Sequence, residues 1–171
     1  MGNEEGQQTL AEEVKPEDMG QFKQQERPTF EKPVKAKVSE VHLFVNPKVE
    51  VSTDGDRKQR AYLQVKYALA VPHKFTSGQE TSEAVSNYGL SIFINGEGKN
   101  EQKNLYWGKN TDANMLKTML CDQAGMGKNA DMLTVIKTLN GKTVMLKTEM
   151  RQNPEDKSLN PKVLVSQILP E

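Results

Sequence analysis

Residues 57–71, RKQRAYLQVKYALAV, alternate between apolar and polar side chains. Successive side chains of an extended strand point to opposite faces, so this period of two predicts a β-strand with one face in a core. The opposite face carries an aromatic ring, an amide and an ammonium group, from Tyr62, Gln64 and Lys66. The residues predicted to be buried are Leu63, Val65, Tyr67, Leu69 and Val71.

The preceding strand is predicted to be long and bent. Apolar residues alternate from Val34 to Val38, and the alternation resumes one position out of step at Val41. A β-bulge at Ser39 or Glu40 would restore the register and bend the strand. Small barrels use long, bent first strands to contribute to two sheets.

A hairpin and a third strand are predicted around this pair. Asp54-Gly55 lies between the first two strands, and Asp-Gly favours a type I′ turn because both central residues need positive φ. A meander is completed by a strand over NYGLSIFIN, in which four residues share one face: Tyr88, Leu90, Ile92 and Ile94.

The period then changes to that of a helix. Apolar residues recur at helical spacing between residues 112 and 124, where Thr111 or Asn110 can cap the start and Gly125 the end. A second short helix is predicted after Asn129, ending at Asn140-Gly141. Two further strands are predicted in residues 142–150 and 162–169, joined by an exposed loop with two Asn-Pro pairs.

The order of elements predicts a fold. The predicted order is three strands, of which the first is bent, then a helical segment and two more strands. This is the order of elements in the five-stranded Greek-key barrel called the OB-fold. The predicted class is therefore mainly β, a five-stranded OB-fold barrel with a helical segment between strands 3 and 4. A generic α+β sheet is the alternative.

Charge divides the chain into two parts. Residues 1–31 hold three Lys and Arg against eight Asp and Glu, a net charge of −5, whereas residues 32–171 hold 20 against 15, a net charge of +5. The first part also has few large apolar residues. We therefore predict an acidic flexible tail over residues 1–31 and one mildly basic domain over residues 32–171.

Several classes of protein are disfavoured by the sequence. The single cysteine, Cys121, forms no internal disulfide, and no apolar run approaches a membrane span or a secretory signal, which predicts a soluble cytoplasmic protein. None of the three Gly-Lys pairs has the spacing of a phosphate-binding loop. His42 and His73 have no partners at metal-ligand spacing. We therefore expect no enzyme activity, no metal and no cofactor.

Rings and cations on the outward face suit an unpaired polynucleotide. OB barrels bind single strands across strands two and three and their flanking loops, where rings stack on bases and cations attract phosphates. Two alternatives stay open, because aromatic pairs also stabilise sheets without a ligand and Trp107 could plug the barrel end. The predicted DNA-binding residues are Lys35, Lys37, Phe44, Arg57, Lys58, Arg60, Tyr62, Lys66, Phe93, Trp107 and Arg151.

The chain resembles phage-encoded single-stranded DNA-binding proteins of the OB-fold type. The resemblance runs from VKAKVSEVHL through RAYLQVKYALAV, SIFIN and NTDANMLKTMLCDQAG to LNGKTVMLKTEM and VLVSQILP. A leucine-glycine-lysine turn into the fourth strand is similar to Leu139, Gly141 and Lys142, with Asn140 inserted. The resemblance implies coating of single-stranded DNA during replication or recombination, in the host cytoplasm if the protein is viral.

The position of the acidic tail departs from the better-known pattern, in which it is C-terminal and recruits replication partners. Here residues 1–31 would screen the basic groove or recruit replication or recombination proteins from the other end. The main alternative function is a non-enzymatic protein-interaction or virion assembly module with an OB-like or sandwich fold. A nuclease is the least favoured, because no carboxylate cluster is apparent. The sequence makes no prediction of the oligomeric state.

Overall fold

A computed structural model describes residues 27–171. Within this range the chain forms one six-stranded antiparallel sheet, two α-helices and a short 3-10 helix at Gly98–Asn100. The strands and helices are β1 (Val34–Val51), β2 (Arg57–Lys74), β3 (Glu80–Asn95), β4 (Gln102–Tyr106), α1 (Asp112–Ala124), α2 (Met132–Leu139), β5 (Thr143–Gln152) and β6 (Leu159–Ile168). The strand order across the sheet is β4-β3-β2-β1-β5-β6.

The predicted mainly β class is confirmed, and the helices follow the third predicted strand as expected. The sheet has six strands where five were predicted, since β4 is an additional short strand paired with β3. The ladder of main-chain hydrogen bonds ends at β4 and β6, so the sheet does not close into the predicted barrel.

β1 is bent where the sequence predicted it. Its pairing with β2 shifts register between Val38 and Glu40, which leaves Ser39 as the extra residue of a bulge. Before the bulge β1 pairs with both β2 and β5; after it, among the described residues, β1 pairs with β2 alone. A second irregularity, between Val45 and Val49, was not predicted.

The turn between β1 and β2 differs from the prediction. Residues 52–56 form a five-residue loop, closed by a hydrogen bond from the Ser52 amide to the Asp56 carbonyl at 2.8 Å. Gly55 has a φ of 87°, while Asp54 does not have positive φ. The Asp54-Gly55 signal therefore marks the hairpin correctly but not the two-residue type I′ turn.

The core lies inside the curve of the sheet, under the two helices. Four of the five predicted inward residues of β2 are buried, but Val71 is 76 % exposed. The reason is a register irregularity between Ala68 and His73, beyond which β2 leaves the core. The side chains with no exposed surface include Leu63 and Val65 of β2, Leu116 and Leu120 of α1, and Val144 and Leu146 of β5.

Side chains of β3 reach across to the main chain of β6. The Ser86 hydroxyl donates to the Val163 carbonyl at 2.7 Å, and the Tyr88 hydroxyl accepts from the Val165 amide at 2.9 Å. Both side chains are buried. These two bonds hold the curled sheet with β6 against β3, although no strand ladder joins them. We call this contact the β3–β6 seam.

Both predicted helices are confirmed, with the predicted caps of α1; the N-cap of α2 was not predicted. Thr111 caps α1, where its hydroxyl accepts from the Asn114 amide at 3.1 Å, and Gly125 ends it with a φ of 73°. Asp131 caps α2 by accepting from the Thr134 amide at 2.8 Å. α1 packs on both β3 and β6, the two strands that the β3–β6 seam joins.

The packed part of the chain begins within the predicted tail. Phe30 belongs to the core, and its amide donates to the Thr148 hydroxyl at 2.9 Å. Its ring also meets the His73 ring edge-on, with centroids 5.5 Å apart. Residues 1–26 of the predicted tail lie outside the described residues.

Candidate nucleic-acid interface

Two aromatic rings stack in solvent at the middle of the sheet. Phe44 of β1 lies directly opposite Tyr62 of β2, with ring centroids 5.1 Å apart and planes 24° from parallel. Both are well exposed, at 43 % and 40 %. The pair is outward because neighbouring Leu63 points into the core. We call Phe44 and Tyr62 the aromatic platform, and the outward surface of β1 to β4 the outer face.

A second aromatic pair lies on the same face, further toward the sheet edge. Phe93 of β3 and Tyr106 of β4 meet at 71° with centroids 5.6 Å apart. Tyr106 is exposed, while Phe93 is half-buried. Tyr106 was not among the predicted DNA-binding residues, because β4 was not predicted and nothing else in the sequence placed this ring beside Phe93.

Cationic side chains lie between the two aromatic pairs. Arg60 is opposite Ser91 and Lys58 is opposite Phe93, so both belong to the outer face. The Arg60 guanidinium contacts the Glu50 carboxylate at 3.0 Å, with 72 % of the Arg60 side chain exposed. Exposed pairs of this kind are weak, so the cation can exchange its partner for a phosphate at little cost.

A third cation, Lys66, lies on the other side of the platform. Its ammonium is 3.4 Å from the Glu40 carboxylate, which also contacts the His42 ring at 3.2 Å. Hydrogen bonds from His42 and then from Lys66 lower the pKa of Glu40. Glu40 therefore stays ionised near neutral pH and partly offsets the charge of Lys66.

An open cavity of about 410 Å³ lies on the outer face next to Gly89. Its walls include the rings of Tyr106 and Trp107 and the cations Lys58 and Arg60, and no carboxylate is among the lining residues. Trp107 is half-buried and also packs against the core. Trp107 therefore contributes to the core and to the lining of the cavity, and its stacking on a base stays a prediction.

The remaining predicted residues lie away from this centre. Lys35 and Lys37 are exposed on β1 before the bulge, at the far end of the outer face. Arg57 donates to the Gly96 carbonyl and lies 3.7 Å from the Glu101 carboxylate, so it ties the start of β2 to the β3–β4 connection.

Arg151 is engaged elsewhere. Its guanidinium makes two hydrogen bonds to Asp112, at 2.8 and 2.9 Å, and one to Glu149 at 3.1 Å. Lys162 adds a 2.7 Å contact to the same Asp112 carboxylate. Partial burial opposes ionisation, but the bonds from Arg151 and Lys162 outweigh it and lower the pKa of Asp112. This cluster fastens the start of α1 to the β5–β6 hairpin.

Neither histidine has the surroundings of a metal ligand. His42 contacts Glu40, and His73 lies between the rings of Phe30 and Phe75, with centroids 5.5 and 5.2 Å away. Across residues 27–171, no three His, Cys, Asp or Glu side chains come together in a way that could hold a metal ion. In the same range no helix is long and apolar enough to cross a membrane.

Lys35 and Lys37 lie at the far end of the outer face, and seven residues of the predicted set come together around its centre: Phe44, Lys58, Arg60, Tyr62, Lys66, Phe93 and Trp107. The chain was compared with models of known protein families and with curated protein sequences, and nothing matches. The resemblance to phage single-stranded DNA-binding proteins therefore stays a prediction from the sequence.

Proposed function

We propose that the protein binds single-stranded DNA across the outer face, with no preference for sequence. The observation that carries the proposal is the aromatic platform of Phe44 and Tyr62, stacked 5.1 Å apart in solvent, with Arg60 and Lys66 along the same strand. An exposed ring offers a base about 1–3 kcal/mol of stacking and accepts any base.

The cations of the outer face supply the rest of the affinity by attracting the phosphates of the strand. Single strands lose affinity with salt at a logarithmic slope of about −0.7 for each phosphate neutralised, so three contacts, from Lys58, Arg60 and Lys66, give a slope of about −2. Together, stacking and phosphate attraction hold an unpaired strand without reading its sequence. The biological role we propose is coating of single-stranded DNA in replication or recombination, as the resemblance to phage proteins implies.

We also propose that the sheet is an opened form of the OB barrel. The connectivity supports it, since β1 to β3 form a meander, β5 returns to pair with β1, and β6 pairs with β5. The β3–β6 seam supports it further, because Ser86 and Tyr88 bridge the gap at which a closed barrel would form its last strand pair.

The acidic residues 1–31 have a proposed role as well. Their net charge of −5 opposes the +5 of the remainder, so they would compete with DNA for the outer face or recruit replication or recombination proteins. Deleting residues 1–26 should tighten binding to single-stranded DNA at low salt. Unchanged affinity together with unchanged capture of partners would count against this role.

The test of the proposed function is a titration of fluorescein-labelled oligothymidylate, followed by anisotropy at two salt concentrations. The parent should bind with the salt slope given above, and Tyr62→Ala should bind about 5- to 150-fold more weakly, the equivalent of one lost base stack. Phe93→Ala should also weaken binding. Phe75→Ala is the matched control, because this half-buried ring lies beyond β2 and outside the outer face.

Two results would contradict the proposal. If Tyr62→Ala and Phe93→Ala bind as the parent does, the outer face is not the binding surface. If the parent does not bind at any salt concentration, the proposed function is wrong.

A protein-interaction module is the second candidate, and one observation favours it. Val45, Val49 and Val51 are 40 %, 42 % and 65 % exposed near the tip of the β1–β2 hairpin. Where exposed apolar groups form one contiguous patch, they mark contact surfaces between proteins. If the protein is such a module, Val49→Lys should disrupt its contacts with other protein chains, so the mass of the complex measured by sedimentation should differ from that of the parent. The oligonucleotide titration should then show no binding.

A further inference from the structure

We propose that Gly89 forms the floor of a slot that holds one unpaired nucleobase of the bound strand, against the rings of Tyr106 and Trp107. This inference rests on the proposed function, which it extends from a surface to a single base position. Gly89 is a residue whose backbone conformation and surroundings would both accept a side chain.

Gly89 lies in the middle of β3, opposite Tyr62. The pairing of β2 with β3 runs without a register shift from Arg57↔Ile94 to Ala68↔Glu83, so no bulge calls for a glycine here. Gly89 does not have positive φ, and a Cβ built on it meets nothing within 4 Å. Neither backbone conformation nor packing within the described residues excludes a side chain at this position.

A glycine inside a strand weakens it, and it often marks a place where a ligand approaches the backbone closely. The space above Gly89 belongs to the cavity of about 410 Å³ described above. β4, the neighbour of β3 on its other side, ends at Tyr106, which pairs with Ser91. Gly89 lies two residues beyond this last pair, so no residue of β4 pairs with it. The absence of a side chain at residue 89 therefore keeps this slot open.

The walls of the slot define the chemistry of its occupant. Tyr106 and Trp107 are aromatic lining residues, and Lys58 and Arg60 supply positive charge, although Arg60 also contacts Glu50, which is not among the lining residues. A flat aromatic group joined to an anionic backbone satisfies both kinds of wall. An unpaired nucleobase within a polynucleotide has this chemistry.

The experiment compares two glycines and two probes. Gly89→Val fills the slot, and Gly127→Val is the matched control, because Gly127 also has no positive φ and open space around its Cβ position but lies between α1 and α2. The probes are fluorescein-labelled oligothymidylate and the same deoxyribose-phosphate chain without bases. Anisotropy gives the affinity, and thermal unfolding gives the stability of each variant.

Gly89→Val should bind oligothymidylate at least about 5-fold more weakly than the parent, the effect of one lost stack. It should bind the base-free chain as the parent does, and its unfolding midpoint should be equal or higher. Gly127→Val should match the parent with both probes. If Gly89→Val fails to fold, Gly89→Ala, whose added atom has open space, should show a smaller loss confined to the same probe.

Each other outcome overturns the slot. Parent-like binding of oligothymidylate by a folded Gly89 variant removes it while leaving the proposed function in place. An equal loss with both probes means that the substitution disturbs phosphate contacts and not a base site. Failure of the parent to bind oligothymidylate overturns the slot and the proposed function together.

Discussion

Removing one oxygen atom from the β3–β6 seam should measurably destabilise the protein. Tyr88 is 1 % exposed and its hydroxyl accepts a 2.9 Å hydrogen bond from the amide of Val165, which is 3 % exposed. Tyr88→Phe keeps the ring and leaves that amide buried without a partner. An unsatisfied buried donor costs about 1–3 kcal/mol, so the free energy of unfolding should fall by about this amount.

Tyr67→Phe is the matched control. Tyr67 has no exposed surface, and its hydroxyl has no partner in hydrogen-bond geometry within residues 27–171. Burial raises the pKa of both phenols, so each substitution removes a neutral hydroxyl at neutral pH. The Tyr67 hydroxyl lies near Ser86 and Tyr88 without a hydrogen bond of good geometry, so its removal should cost less stability than removal of the Tyr88 hydroxyl.

Urea denaturation measures both variants. Tyr88→Phe should lower the midpoint with an unchanged slope, and the amide of Val165 should exchange with solvent faster than in the parent. If Tyr67→Phe and Tyr88→Phe lose the same stability, or if neither loses any, the hydrogen bonds of the seam do not hold the curled sheet.

Three further predictions concern the core and the Asp112 cluster. Leu63→Ala should lower the free energy of unfolding by about 2–5 kcal/mol in urea denaturation, because Leu63 has no exposed surface; a smaller loss would contradict its place in the core. Asp112→Asn should be less stable than the parent at neutral pH. The folded-state pKa of Asp112 is lowered, so the stability it adds is present above its unfolded pKa of about 3.9 and disappears as pH falls through the folded value. The difference in free energy of unfolding between the parent and Asp112→Asn should therefore disappear in acid. A difference that does not change with pH would show that it does not come from the ionised Asp112 carboxylate. Arg151→Ala should lower the unfolding midpoint and leave affinity for oligothymidylate unchanged, whereas Arg60→Ala should weaken binding with little effect on folding; the reverse pattern would return Arg151 to the interface.

Local signals in the sequence predicted much of the fold. The break in alternation after Val38 located the bulge at Ser39, because a strand cannot change faces without an extra residue. Thr111 and Gly125 located the ends of α1, because each satisfies main-chain groups that a helix end leaves unpaired. These features depend on neighbouring residues, and neighbours are what a sequence displays.

The features that were missed depend on distant residues. β4 is five residues long and only Leu105 of it is even half-buried, so it has little alternation to reveal it. Arg151 was assigned to the interface because its loop flanks the groove of an OB barrel, and its ion pair with Asp112, 39 positions away in the chain, could not be read from the sequence. The sequence also did not predict that the sheet stays open. In place of a closing strand pair, β3 and β6 are joined by side-chain hydrogen bonds between residues 77 positions apart, which no local pattern indicates.

Mapping the binding surface by NMR shows whether single-stranded DNA occupies the outer face. Oligothymidylate is added to isotope-labelled protein, and the amide and aromatic resonances are followed to saturation. If DNA binds there, the resonances of Phe44, Tyr62, Gly89 and Tyr106 should shift, and those of β5 and β6 should not. Shifts confined to β5 and β6, or a spectrum unchanged by excess oligothymidylate, would contradict binding at the outer face.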